Sequence, residues 1–78
     1  MKIRIKKIEE LTDALWPMNI PVGWEYTFSE LPELSFKEPT IGERFRAGYL
    51  WSTSEVKEII DEKTFKTLSS IYEWEIVE

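Results

Sequence analysis

Carboxylates are the main groups in this sequence that could do chemistry, since Asp and Glu account for 15 of its 78 residues. Two of them facing each other across a cleft would be the apparatus of a glycoside hydrolase. The chain has neither His nor Cys, which excludes Ser-His-Asp and Cys-His nucleophiles and the zinc hydrolase sites. So short a chain builds a thin core without room for a sugar-binding cleft. We therefore expect no catalytic residue and no enzyme activity.

Cofactor and metal sites have no better support in the sequence. The glycines Gly23, Gly42 and Gly48 are isolated from one another, so no glycine-rich phosphate loop is present. A calcium site needs several oxygen ligands converging from one loop. Residues 61–63 offer too few and are better interpreted as a solvated turn. We expect neither a cofactor nor a metal ion.

Charge and hydropathy indicate the class of partner. A formal charge of −5 and a pI of about 4.8 argue against a general nucleic-acid binder, because such proteins neutralise phosphates with Lys and Arg. No apolar run approaches the ~18–20 residues of a membrane span, and residues 1–8 lack the apolar run of a secretory signal. We expect a cytoplasmic protein with a protein partner, no membrane contact, and nucleic acid as a less favoured partner.

Alternation of apolar and polar residues predicts the fold, since a period of two is typical of half-buried strands. It occurs in residues 2–6, 22–28, 43–51, 64–68 and 70–77, with a turn predicted at 52–54. Residues 55–60 fit a strand or a capped helix, and we favour the strand because 61–63 resemble a hairpin turn. One short helical turn is expected near residues 10–16. Residues 1–78 are thus predicted to be a single small all-β domain, either a five- or six-stranded SH3-like barrel or a rolled antiparallel sheet; an OB-like barrel is the second choice.

A basic stripe on the first predicted strand has two interpretations. Lys2, Arg4 and Lys6 share one face and could contact phosphates or an acidic partner. We favour a structural role, because Glu73 and Glu75 form an acidic stripe on the last predicted strand. If the two strands are neighbours, these side chains form cross-strand ion pairs worth about 0.2–1 kcal/mol each.

Aromatic residues make up 14% of the chain and must supply most of the core, since there are no disulfides. Trp24, Trp51 and Trp74 fall on the apolar faces of predicted strands. The apolar residues of the loop 29–40 are expected to pack under the barrel, with an exposed binding loop as the alternative. Interface anchors are enriched in Trp and Arg. The candidate partner-binding residues are Trp16, Met18, Leu34, Phe36, Arg44 and Arg46.

One pattern in the second half of the chain resembles a known group of proteins. Thr53, Ser54 and Val56 are followed by Phe65, Thr67 and, further on, Ser69, Ser70 and Tyr72. This arrangement is similar to one in short, mostly uncharacterised proteins of bacteriophages and their hosts, in which Asn commonly stands at the position of Ser69. The resemblance covers about a quarter of the chain. It implies no activity, but it implies a viral or mobile-element origin, where small proteins often bind host proteins.

These observations favour a small, non-enzymatic protein-interaction module that binds a host protein through an acidic and aromatic surface. Two alternatives remain open. One is a nucleic-acid-binding barrel that uses the basic first strand with Arg44 and Arg46. The other is a structural subunit that associates with itself through a sheet edge or an apolar patch.

Overall fold

The computed structural model describes residues 2–11, 20–29, 32–49 and 51–77. Within these ranges the strands form one antiparallel sheet that curls into a half-barrel, which confirms the predicted all-β class and rolled sheet. The strand order is β2-β1-β6-β5-β4-β3. The elements are β1 (Ile3–Glu10), β2 (Glu25–Phe28), a 3-10 turn (Glu33–Ser35), β3 (Arg44–Arg46), β4 (Ser52–Asp61), β5 (Thr64–Thr67) and β6 (Ser70–Ile76).

The third and fourth strands differ most from their predicted bounds. β3 is much shorter than the predicted strand 43–51, and β4 already begins at Ser52, so the predicted turn at 52–54 is wrong. A Ser/Thr run is typical of a turn, but Thr53 is buried and its Oγ1 accepts a hydrogen bond from Phe45 N at 3.1 Å. Residues 55–60 are a strand, as favoured. The expected helical turn lies outside the described residues, except that Glu10 ends β1 and Leu11 follows it.

The core of the half-barrel is aromatic. Phe45 is 1% exposed, and its ring centroid lies 5.1 Å from that of Phe65 and 5.4 Å from that of Trp74. Trp24 and Trp51 are partly buried and pack against this cluster. The inward positions predicted for the three Trp residues of the strands are therefore confirmed. The buried apolar residues are Ile3, Ile5, Phe45, Ala47, Val56, Phe65, Tyr72 and Trp74.

The first and last strands are neighbours, as the complementary charge stripes predicted. Ile5 lies opposite Trp74, and Arg4 lies opposite Glu75. The Arg4 guanidinium contacts carboxylate oxygens of Glu75 at 2.7 Å, Glu25 at 3.1 Å and Glu73 at 3.6 Å. The hydrogen bond from Arg4 holds the pKa of Glu75 below its ordinary value, and the same bond raises the pKa of Arg4. The positive charge of Arg4 is thus largely engaged within the sheet.

β1 contains a buried lysine. The register between β1 and β6 shifts between Lys7 and Glu9, and Lys7 is only 2% exposed. Its ammonium group donates hydrogen bonds to Glu10 Oε1 and to the carbonyl oxygen of Ile20. Lys7 therefore ties β1 to the chain just before β2 and contributes no charge to the surface.

Candidate binding site

A long loop, residues 36–43, leads from the 3-10 turn to β3. Phe36 anchors this loop, because its ring lies 5.6 Å from that of Trp74 and meets the ring of Phe45 edge-on at 6.4 Å. An aromatic residue that is held by two core rings fixes the backbone on either side of it. Glu38 and Pro39, which follow at once, are thereby placed beside β6.

Polar contacts fix the second half of the same loop. Lys37 Nζ contacts Glu43 Oε2 at 2.6 Å, and Thr40 Oγ1 donates to the Glu38 carbonyl oxygen at 2.9 Å. Gly42 has a φ of 92°, a conformation that favours glycine, and its N–H donates to Val56 O at 2.9 Å. The loop is therefore bound to β4 at one end and to the core at the other.

The turn between β4 and β5 forms the opposite wall of the site. Asp61 Oδ1 accepts a hydrogen bond from Lys63 N at 2.9 Å, which is the local bond that an Asp supplies at a turn. Trp74 N then donates to Lys63 O at 2.8 Å, so the turn is fixed against β6. The hairpin tip and Trp74 are held together by the backbone.

Two adjoining clefts lie between the loop and the hairpin tip. Their volumes are about 150 Å³ and about 290 Å³, each below the roughly 300–1,000 Å³ of a typical small-molecule pocket. Glu38, Glu62 and Trp74 line both clefts. The smaller cleft is completed by Pro39, Ile59, Asp61, Thr64 and Phe65, and the larger one by Lys63, Glu75 and Ile76. We call these two clefts together the acidic face.

Not all carboxylates of the acidic face are equally free to bind. The hydrogen bond from the Lys63 backbone, with further bonds from Thr64, lowers the pKa of Asp61. Glu75 is engaged by Arg4 and, at 3.4 Å, by Lys63 Nζ. Within the described part of the chain, the carboxylates of Glu38 and Glu62 make no ion pair or hydrogen bond. The carboxylates of Glu38 and Glu62 thus stand beside the small exposed part of Trp74, although Glu38 also lines a depression with Lys37, Arg44 and Arg46.

The residues predicted to bind a partner fall in different places. Trp16 and Met18 lie outside the described residues. Leu34, on the 3-10 turn, is fully exposed, whereas Phe36 packs on the core and supports the loop. Arg44 and Arg46 are exposed on β3 and, with the loop residues Lys37, Glu38 and Glu43, line a small depression of about 40 Å³ beside the acidic face.

The residues of the acidic face were not predicted as a site. Glu38, Glu62 and Trp74 come from three separate segments, and no spacing in the sequence indicates that they meet. Lys7 was also missed, because its charge argues for the surface, although its position continues the inward alternation of Ile3 and Ile5.

The described residues contain neither a metal-binding cluster nor a membrane-spanning helix. Across residues 2–11, 20–29, 32–49 and 51–77, no group of three or more Asp or Glu residues is arranged to hold a metal ion. Over those ranges we also find no helix with the length and apolar character needed to cross a membrane. Comparison of the chain with protein-family models, curated proteins and solved structures finds no match.

Proposed function

We propose that this protein is a small, non-enzymatic interaction module that binds a protein partner with a basic surface through its acidic face. The observation that carries the proposal is that the carboxylates of Glu38 and Glu62 line two clefts whose accessible apolar surface comes from the half-exposed side chains of Ile59 and Ile76. Apolar groups and charges arranged in this way give a partner both buried area and electrostatic direction.

The shape of the acidic face supports a protein ligand over a substrate. The clefts adjoin each other and each is smaller than a typical small-molecule pocket, a size that fits single side chains projecting from a partner's surface. Leu34, which is fully exposed on the 3-10 turn just before the loop, adds an apolar group of the kind that interfaces cover. The resemblance to bacteriophage proteins motivates the further proposal that the partner is a host protein, in the cytoplasm.

The two alternatives from the sequence receive less support. A nucleic-acid interface would need the cations of the first strand, but Arg4 is surrounded by three carboxylates and Lys7 is buried. Arg44 and Arg46 are exposed, yet Glu38 and Glu43 lie beside them. Self-association remains an alternative that sedimentation at high protein concentration tests, because a dimer would sediment faster as the concentration rises.

The proposal is tested by comparing three immobilised proteins. They are the wild type, the face variant Glu38→Gln/Glu62→Gln, and a control variant Glu9→Gln/Glu55→Gln, which loses the same charge outside the acidic face. Each is incubated with a bacterial host lysate at low and high salt, and the retained proteins are quantified by mass spectrometry.

We expect a partner that the wild type and the control variant retain at low salt, and that the face variant loses. High salt should also weaken retention, because steering between opposite charges is screened. Equal retention by the wild type and the face variant would contradict the proposal. Loss of retention in both variants would show that net charge, rather than this face, governs binding.

A further inference from the structure

The free edge of β2 has the features of a pairing surface for a second copy of this chain. We infer that two copies join their β2 strands antiparallel about a twofold axis through Tyr26, so that the sheet of one copy continues into the other. This inference is independent of the proposed function, since no residue of β2 lines the two clefts of the acidic face. The resulting dimer carries two acidic faces.

The backbone of β2 offers hydrogen-bonding groups to another strand. β2 stands first in the sheet order and pairs only with β1. Lys7 N donates to Trp24 O at 2.9 Å, so these two residues are hydrogen-bonded neighbours where β1 meets the chain before β2. Because bonding alternates along an antiparallel pair, Tyr26 turns its backbone groups toward β1, whereas Glu25 and Thr27 turn theirs away from it. Within the described part of the chain nothing bonds these outward groups, and an unpaired row of this kind is a template for another strand.

The other edge of the sheet, β3, is less suited to pairing. It is only three residues long, and the loop that precedes it lies beside Arg44 and Arg46. Phe45 N bonds the hydroxyl of Thr53 instead of the backbone of β4. Two β3 strands paired antiparallel about Phe45 would also place Arg44 of one copy opposite Arg46 of the other, and like charges directly opposite are destabilising.

Aromatic side chains on the inner face of β2 complement themselves in this pairing. Tyr26 is 54% exposed, and its ring centroid lies 4.7 Å from that of Phe28 and 6.2 Å from that of Trp24. With the axis through Tyr26, this residue lies opposite its own counterpart, and Trp24 lies opposite Phe28 of the second copy. Aromatic pairs directly opposite on antiparallel strands are stabilising. The pairing therefore covers a ring that the single chain leaves half exposed.

Charges on the outer face are complementary in the same register. In the single chain Glu25 lies opposite Lys6, and Thr27 lies opposite Arg4. The axis through Tyr26 places Glu25 opposite Thr27 of the second copy, and Arg4 of that copy stands one strand further, about 9–10 Å from Glu25. That distance is about one Debye length, so Glu25 has a cation on either side of it. An axis through Glu25 would instead set two carboxylates opposite each other.

Two substitutions at Thr27 test the register as well as the dimer. Sedimentation equilibrium of the wild type, Thr27→Lys and Thr27→Glu, from about 10 µM to about 1 mM protein, measures the dissociation constant of the dimer. Ser52→Lys and Ser52→Glu are the matched controls, because Ser52 is also exposed on a strand and lies opposite an arginine, Arg46, as Thr27 lies opposite Arg4. Hydrogen exchange of the Glu25 and Thr27 amides shows whether the β2 edge is covered, and circular dichroism reports folding.

We expect a monomer–dimer equilibrium in the wild type, with exchange of the Glu25 and Thr27 amides slowing as the protein concentration rises. Thr27→Lys should tighten the dimer and Thr27→Glu should weaken it, each by about 2- to 30-fold, because the symmetric dimer contains the altered pair with Glu25 twice. Both Ser52 variants should match the wild type.

Several results would overturn the inference. They are a monomer at every concentration, amides of Glu25 and Thr27 that exchange equally fast at all concentrations, and a dimer that neither Thr27 substitution affects. Weakening by both Thr27 substitutions would indicate an axis through Thr27 instead of Tyr26. Weakening by Thr27→Lys with tightening by Thr27→Glu would indicate pairing of β2 with the basic strand β3 of the second copy, and either result contradicts the register described here.

The two proposals can fail separately. If a partner depends on Glu38 and Glu62 but the protein stays monomeric, the β2 pairing is wrong and the interaction module stands. If the wild type and the face variant dimerise equally through β2 but no partner depends on Glu38 and Glu62, the pairing is correct and the proposed function is wrong.

Discussion

Replacement of the buried Lys7 by methionine should destabilise the protein markedly, although the new side chain is apolar and similar in length. The Lys7 side chain is 3% exposed and serves two acceptors, Glu10 Oε1 and Ile20 O. In the Lys7→Met variant the Ile20 carbonyl loses its bond, at a cost of about 1–3 kcal/mol. Removing one member of a buried ion pair costs about 3–5 kcal/mol, but Glu10 is 25% exposed and water recovers part of that.

The expected loss is therefore about 2–4 kcal/mol. That is a large share of the roughly 4–12 kcal/mol of unfolding free energy usual for a chain of this length. The double variant Lys7→Met/Glu10→Gln should lose less stability than the sum of the losses in Lys7→Met and Glu10→Gln, because both single changes remove the same ion pair. Unfolding in urea, followed by tryptophan fluorescence, measures these free energies.

Lys6 provides the matched control. It is the preceding residue, partly exposed and opposite Glu73 and Glu25 in the sheet register, so Lys6→Met should change the free energy of unfolding by less than about 1 kcal/mol. A Lys7→Met variant as stable as the wild type would refute the internal role of Lys7. Lys7 would then be available for a surface contact.

Three further predictions concern the sheet, the core and the loop. The hydrogen bond from Arg4 lowers the pKa of Glu75. The stabilisation that this bond gives the folded protein is therefore present above the ordinary carboxyl pKa of about 4.3 and is lost as pH falls through the lowered pKa of Glu75. The urea midpoint of Glu75→Gln should thus lie below that of the wild type at neutral pH and match it in strong acid. Phe45→Ala should lose about 3–5 kcal/mol in urea unfolding, whereas the fully exposed Leu34→Ala should stay within about 0.5 kcal/mol; similar losses would contradict the core assignment. Gly42→Ala should lower the melting temperature through a loss of about 1 kcal/mol or more, since its φ of 92° strains any other residue even where space is open, and an unchanged melting temperature would contradict this backbone geometry.

The sequence predicts the sheet well where alternation and charge act together. Ile3 and Ile5 alternate with cations, and Trp74 alternates with glutamates. When the apolar side chains of both strands are buried on one face of the sheet, their opposite charges are therefore paired on the other face. This is why the contact between β1 and β6 could be predicted from two distant segments. The start of β4 could not, because Thr53 resembles a turn residue until its hydroxyl is found to bond Phe45 N.

The candidate site was harder to predict, for two physical reasons. Lys7 continues the inward alternation of Ile3 and Ile5, but a charged residue is not expected at an inward position until its acceptors, Glu10 and the Ile20 carbonyl, are known. The acidic face depends on how a loop lies across a hairpin tip, and Glu38 and Glu62 carry no pattern that indicates this. The apolar residues of the loop 29–40 were expected to pack under the barrel, with an exposed binding loop as the alternative; Phe36 packs on the core, whereas Leu34 is fully exposed.

The position of the loop is the point on which the acidic face depends, and nuclear Overhauser contacts measure it directly. The rings of Phe36 and Trp74 have centroids 5.6 Å apart, so their protons should show clear cross-peaks in the free protein. That result would place Glu38 beside Trp74 and the hairpin tip. Absence of these cross-peaks, with the contacts between Phe45 and Trp74 still present, would mean that the core forms without the acidic face, and it would contradict the binding site described above.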